Sequence, residues 1–205
     1  MNNQKSKVSL QKGITSSLSL KEKFTRSAAS LSRPLTLAVC AMLLSLCLIL
    51  SYFGNVSITF LGTNVIKLSF TALPIAVAAM LYGPVPAGVI GALSDIIGFM
   101  LAPMGAYIPG FTISMLLVGF IYGAAFYNEK PGIPRVALTQ LIVSIAINEM
   151  LGSLWFVLFY GFTPSTALSV RGIKELIMYP ILTALIFGMI QVTERLPEVR
   201  RIRRE

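Results

Sequence analysis

Two carboxylates stand inside long apolar runs, where a chain built for lipid has no ordinary use for a charge. Asp95 lies in Ala92-Leu-Ser-Asp-Ile-Ile-Gly98 and Glu149 in Ile147-Asn-Glu-Met-Leu-Gly152. A charge at mid-membrane costs about 2.5–3.5 kcal/mol on insertion scales, so such residues usually mark a pathway or a binding site. A carboxylate held there offers two acceptor oxygens to the paired N–H groups of a polar solute. Two readings stay open. Either acid could bond a solute in a cavity open to the outside, or Ser, Asn, Tyr or the Lys174 amine could satisfy it and so hold helices in register. Lys174 and Glu175 follow Arg171 closely and could pair with either acid.

A second candidate is the connection Leu101-Ala-Pro-Met-Gly-Ala-Tyr-Ile-Pro-Gly-Phe-Thr112. Its prolines and glycines stop the flanking helices, and Tyr107 and Phe111 offer rings to a flat ligand beside the Thr112 hydroxyl. With Trp155, Tyr160 and the basic trio Lys67, Arg171 and Lys174, this connection would line an outward-facing cavity. An aromatic floor with a cationic rim suits a solute that carries a planar ring and carboxylates. The bland alternative is a plain loop.

Other chemistries are excluded by composition. The chain has no His, which removes His-based metal sites and Ser-His catalysis, and no G-x-x-x-x-G-K-[ST] is present to hydrolyse ATP. Cys40 and Cys47 lie seven residues apart on one apolar run, about 10 Å along a helix axis and too far for a disulfide. No cofactor and no metal are expected.

The elements that must position these groups are membrane helices. Hydrophobic residues make up 55% of 205 residues and charged residues 12%, against about 25% charged in soluble domains. Mean hydropathy is +0.78. Backbone polar groups in lipid must be satisfied internally, and runs longer than strands point to helices. Apolar windows predict six, over 35–53, 68–82, 87–102, 111–127, 136–160 and 173–192. The second and third are short and share the turn Gly83-Pro84-Val85-Pro86, so four spans plus a buried hairpin is the alternative. The expected fold is thus an all-α integral membrane protein, a six-helix transmembrane bundle with both termini cytoplasmic. Its parts are a basic tail over 1–34, a membrane domain over 35–193 and a second basic tail over 194–205.

Charge sets that orientation. Of 17 Lys and Arg, 14 fall before Leu35, at Lys130 and Arg135, or from Arg195 onward; the other three are Lys67, Arg171 and Lys174. The positive-inside rule then places both ends in the cytoplasm of a cell whose inner membrane holds the protein. Basic ends beside anionic lipid account for the net charge of +9 without nucleic acid. In the first tail, Leu20, Phe24, Ala28 and Leu31 recur at the helical spacing of an interfacial helix.

Small residues recur four apart in Ala87-x-x-x-Gly91, Gly88-x-x-x-Ala92, Gly119-x-x-x-Gly123 and Ala41-x-x-x-Ser45. They allow close helix approach, within the chain or, on the outermost first helix, to a partner.

Several blocks together resemble a known family: 66–84, Gly91-Ala-Leu-Ser-Asp-Ile-Ile-Gly98, Pro103-Met-Gly-Ala-Tyr-Ile-Pro-Gly-Phe-Thr112, Gly119-Phe-Ile-Tyr-Gly123, Leu154-Trp-Phe-Val-Leu-Phe-Tyr-Gly161 and 170–180. In order and spacing they are similar to the substrate-binding S components of energy-coupling factor vitamin transporters, folate-type branch, over residues 35 to 193. The resemblance implies a non-enzymatic, high-affinity vitamin-binding subunit. It would dock on a transmembrane coupling protein carrying two ATPase subunits and deliver a folate-like vitamin inward. It also implies docking through small residues of the first helix, here Ala38, Ala41 and Ser45. The family pattern commonly has an Arg where this chain has Val118, and an Asn where it has Gly152. The alternatives are an S component for another water-soluble vitamin, or a stand-alone ion-coupled carrier with Asp95 as proton site.

Overall fold

The computed structural model describes residues 19–53, 56–60, 63–68, 70–103, 107–129, 131–160 and 163–195. An amphipathic helix α1 (Leu20–Ser30) precedes α2 (Pro34–Phe53), and a hairpin of β1 (Val56–Phe60) and β2 (Thr63–Leu68) follows it. The chain then forms α3 (Ala72–Tyr82), α4 (Pro84–Leu101), α5 (Pro109–Phe126) and α6 (Ile133–Ile142). A π-helical stretch, Val143–Leu151, continues into α7 (Gly152–Tyr160), and α8 (Pro164–Arg195) closes the bundle.

Five of these helical stretches are long and apolar enough to cross a membrane: Pro34–Tyr52, Pro84–Leu101, Pro109–Phe126, Ile133–Phe159 and Glu175–Arg195. The third expected segment is therefore a full-length helix. The second is not. Its first residue, Leu68, instead ends the strand 63–68, and the antiparallel register pairs Val56 with Leu68 and Ser57 with Lys67. The membrane body is helical as expected, and this hairpin corrects the purely helical reading. Its cause is local: Val56, Ile58, Thr59, Thr63, Val65 and Ile66 are β-branched and favour strands.

What remains of the second segment is α3, 11 residues long, or about 16 Å at helical rise, half of the hydrocarbon core. Pro74 through Met80 are all buried. A helix that is apolar on every side belongs inside a bundle. Gly83 ends it with φ +88° and at once begins α4, a backbone conformation that a side chain would strain.

The helix α1 forms where the spacing predicts it, opened by the capping box Ser19/Glu22. The face it turns to the protein is different from the expected apolar stripe. Lys23 and Ser27 are buried, whereas Leu20 and Ala28 are exposed; only Phe24 of the stripe reaches a partner ring, edge-on to Phe120 with centroids 5.3 Å apart. The reason is that α1 satisfies the ends of three other helices. Ser27 Oγ donates to the Tyr82 carbonyl at the end of α3 (2.8 Å) and accepts the Val85 N–H at the start of α4 (2.9 Å). Lys23 Nζ donates to the Ala124 carbonyl in the last turn of α5 (3.0 Å) and pairs with Glu129 (3.5 Å), which also holds Arg135 (3.1 Å). Such terminal groups have no partner within their own helices. Ser27→Ala removes two buried bonds and is expected to cost about 2 kcal/mol. Ser30→Ala loses only a bond inside α1 and should stay within about 0.5 kcal/mol. Thermal unfolding of the two variants in detergent measures the difference.

These contacts put α1, the Gly83 turn and the α5–α6 connection at one end of the bundle. At the other end α2 and α4 finish side by side, with Ser51 Oγ 3.5 Å from where a Cβ at Gly98 would lie, so the hairpin that follows α2 and the start of α5 lie there.

Candidate functional site

At the hairpin end, three of the expected residues form a single relay. Thr112 Oγ donates to Asp95 Oδ2 at 2.7 Å, and Tyr107 and Thr112 share a hydrogen bond of 2.6 Å. A hydroxyl has one proton; Thr112 gives its own to the carboxylate, so Tyr107 must donate to Thr112. The relay joins the last two turns of α4 to the first turn of α5 and ties down the connection between them. Phe99 packs on Tyr107, ring centroids 5.2 Å apart. Asp95 is thus engaged by the Thr112 hydroxyl of the neighbouring helix.

Trp155 is held on α7 by a second set of contacts. Its indole N–H donates to Ser114 Oγ at 3.1 Å, and that hydroxyl donates to the Gly110 carbonyl at 3.0 Å. The indole lies against the backbone of Gly110 so closely that a Cβ there would sit 2.3 Å from the ring. Phe111 meets Phe156 edge to face, centroids 5.9 Å apart. Both groups are anchored on the first two turns of α5: Asp95 and Tyr107 through Thr112, and Trp155 through Ser114 and Gly110.

Glu149 lies apart from both. Its carboxylate oxygens are buried, and Gly172 of α8 comes close enough that a Cβ would lie 3.6 Å from Oε1. The side chains of Lys67, Arg171 and Lys174 lie outside the described residues, as does that of Tyr160. Of the small-residue face proposed for docking, Ala38, Ala41 and Ser45 are all exposed on α2, the least buried of the five long helices. Ser45 bonds back to the Ala41 carbonyl at 2.9 Å and presents no unsatisfied hydroxyl.

Deeper in the bundle is a polar layer that the sequence reading did not single out. A cavity of about 70 Å³ opens between α3, α5, α6, the π-helical stretch and α8. Glu175 is buried at its wall and accepts a hydrogen bond from the Asn148 carboxamide at 3.3 Å. Tyr122 donates to Gln140, whose own carboxamide reaches Ser144 at 3.5 Å. Gln140, Ser144 and Asn148 are spaced four apart, and that polar stripe on an apolar helix was the signal available. The π-helical stretch was not signalled at all. It carries both Asn148 and Glu149, and such widened turns occur often at functional sites.

Comparison with known proteins gives consistent results. The family model for the ECF transporter, substrate-specific component, matches residues 35–193. The folate transporter FolT of Clostridium novyi (strain NT) is 36% identical over 140 residues, covering 68% of this chain and 81% of that protein. The folate transporter FolT of Leuconostoc mesenteroides is 33% identical over 147 residues, covering 69% and 76%. The crystal structure of FolT bound with folic acid superposes with a TM-score of 0.67 at 33% identity, over 75% of this chain and 93% of that one.

Proposed function

The chain belongs to the ECF transporter substrate-specific components, and from that premise we propose that it binds folate from the hairpin end of the bundle and delivers it inward. It is a multi-pass membrane protein and not an enzyme. The observation that carries the folate reading is the shared fold with a FolT structure that contains folic acid, at 33% identity.

The ligand geometry we favour follows the layers of the site. Tyr107, Phe111 and Trp155 flank the ligand's rings at the mouth, through which the fused ring leads inward, and Asp95 with Thr112 fixes the connection beside it. Lys67, Arg171 and Lys174, at the same end of the chain path, meet the carboxylates of the glutamate tail. Glu149, against α8, steadies the wall between mouth and interior.

In this reading the α1 end faces the cytoplasm, since 14 of 17 basic residues belong to it and cytoplasmic segments are enriched in Lys and Arg. Both termini then lie inside the cell, with α3 completing six helices, and the membrane is the bacterial cytoplasmic one. The tails over 1–34 and 194–205 rest on anionic lipid. The exposed face of Ala38, Ala41 and Ser45 lets the backbone of a coupling protein approach closely, and that protein carries the two ATPase subunits.

Radiolabelled folate binding to the purified protein tests the reading. Saturable binding at submicromolar ligand is expected, with Arg171→Ala weakening folate selectively over a ligand that lacks carboxylates. No binding in that range removes folate as the cargo.

A further inference from the structure

We propose that Glu175, steadied by Asn148, is the specificity-determining acceptor that reads the N–H edge of the ligand's fused ring. This assignment rests on the folate reading above and moves the ring-reading role away from Asp95 and Glu149, the two acids that the sequence alone brings forward.

Three observations carry it. The first is cost: Glu175 is an acid buried within the bundle, at the start of the apolar stretch Glu175–Arg195. A carboxylate in that position is expensive unless a pathway or site uses it. The second is shape. The cavity has Ile75, Met115, Val118 and Met178 as apolar walls, and Glu175, bonded to Asn148, is the one acid among its polar lining groups. Apolar walls with a few polar groups, one of them a carboxylate, suit a planar heteroaromatic ring with N–H donors on its edge. The cavity's volume of about 70 Å³ is room for a few waters, so a ring that enters must displace them and push the apolar walls apart. Met115 and Met178 are side chains that adapt readily to an incoming group. The third is orientation. The Asn148 carboxamide donates to Glu175 Oε2, fixing the plane of the carboxylate. Asn148 itself is placed by the π-helical stretch. Asp95 differs in this respect, because Thr112 and Tyr107 already occupy it in the relay that closes the α4–α5 connection.

The amino-pyrimidinone edge of folate presents an exocyclic N–H and a ring N–H side by side, which a carboxylate accepts as a pair. The analogue with oxygen in place of the exocyclic amino group loses one of the two donors. Calorimetric titration of the purified full chain with both ligands tests the assignment. The wild type should prefer folate by about 10-fold or more, the worth of one hydrogen bond to a charged acceptor. Glu175→Gln, whose carboxamide has one acceptor and one donor, should shrink that preference to about 2-fold or reverse it. Glu175→Asp keeps the carboxylate and should keep the sign of the preference. If Glu175→Gln retains the full preference, the assignment is overturned while the folate reading stands. If Glu175→Gln binds neither ligand, Glu175→Asp decides: a kept preference supports the assignment, and a lost one overturns it. If the wild type binds neither ligand, the folate reading falls and takes the assignment with it.

Discussion

Gly119→Val and Gly123→Val, made together, should leave no folded protein in detergent, and each glycine changed to Ala alone should cost about 3 kcal/mol or more, the upper range for overpacking. The contact between α4 and α5 is backbone on backbone. A Cβ at Gly119 would lie 2.4 Å from the Ala87 carbonyl carbon and the Gly88 nitrogen, and one at Gly123 would lie 2.2 Å from Pro84 Cα. On the facing helix, a Cβ at Gly91 would meet the Met115 carbonyl oxygen at 2.5 Å. These pairs run in antiparallel order along both helices, so relieving one by sliding tightens another. A flexible side chain can swing away from a new methyl group, but a helix backbone cannot.

A control of the same chemistry lies on α8. A Cβ at Gly188 meets nothing within 4 Å, so Gly188→Ala should be neutral or stabilise by up to about 1 kcal/mol through helix propensity. Size-exclusion profiles and thermal unfolding of the three single variants measure the contrast. Equal melting temperatures for Gly119→Ala and Gly188→Ala would mean that α4 and α5 are not in backbone contact.

Those glycines also show which features were legible beforehand. Small residues at four-residue spacing mark close helix pairs because lipid gives helices no hydrophobic reason to associate, and the structure places the α4–α5 contact on these motifs. The long apolar runs were equally plain, since spanning lipid imposes both length and composition. The hairpin falls between the first two apolar windows and overlaps the second only at Leu68. Its strands are 5 and 6 residues long, too short for a membrane-length window to register.

The site was legible in its parts more than in its connections. Asp95, Tyr107 and Thr112 were each identifiable as polar groups near one end, but their relay depends on how α4 meets α5, which no local pattern encodes. Glu175 stood in plain view beside Lys174 and was read as a possible partner for another acid. Its burial comes from the packing of α8 on the π-helical stretch, and the π geometry leaves no local signature in residue type. Lys23 is the converse case. A lysine between Glu22 and Phe24 in a basic tail reads as a lipid-facing charge, yet here it closes the end of α5, because a buried helix terminus needs a donor more than the membrane surface needs a cation.

The second large effect concerns Trp155, the only tryptophan in the chain, whose emission therefore reports on one place alone. If the indole forms one wall of the ring site, folate should quench that emission on binding. Gly110→Ala should weaken folate by about 30-fold, since a Cβ 2.3 Å from the ring must expel it, and losing a buried aromatic stack together with its hydrogen bond is worth about 2 kcal/mol. The expelled indole loses Ser114 as its acceptor and gains contact with solvent, so its emission maximum should shift to the red before any ligand is added. Ser114→Ala separates the two contributions. It leaves the ring over Gly110 and removes only the acceptor for the indole N–H, so it should weaken binding by about 5-fold, within the ordinary worth of one neutral hydrogen bond. A fluorescence titration of the wild type and both variants gives all the values from one signal. Should Gly110→Ala bind folate like the wild type while its emission has moved, the indole is a structural wedge between α5 and α7, and the stacking surface is left to Tyr107 and Phe111.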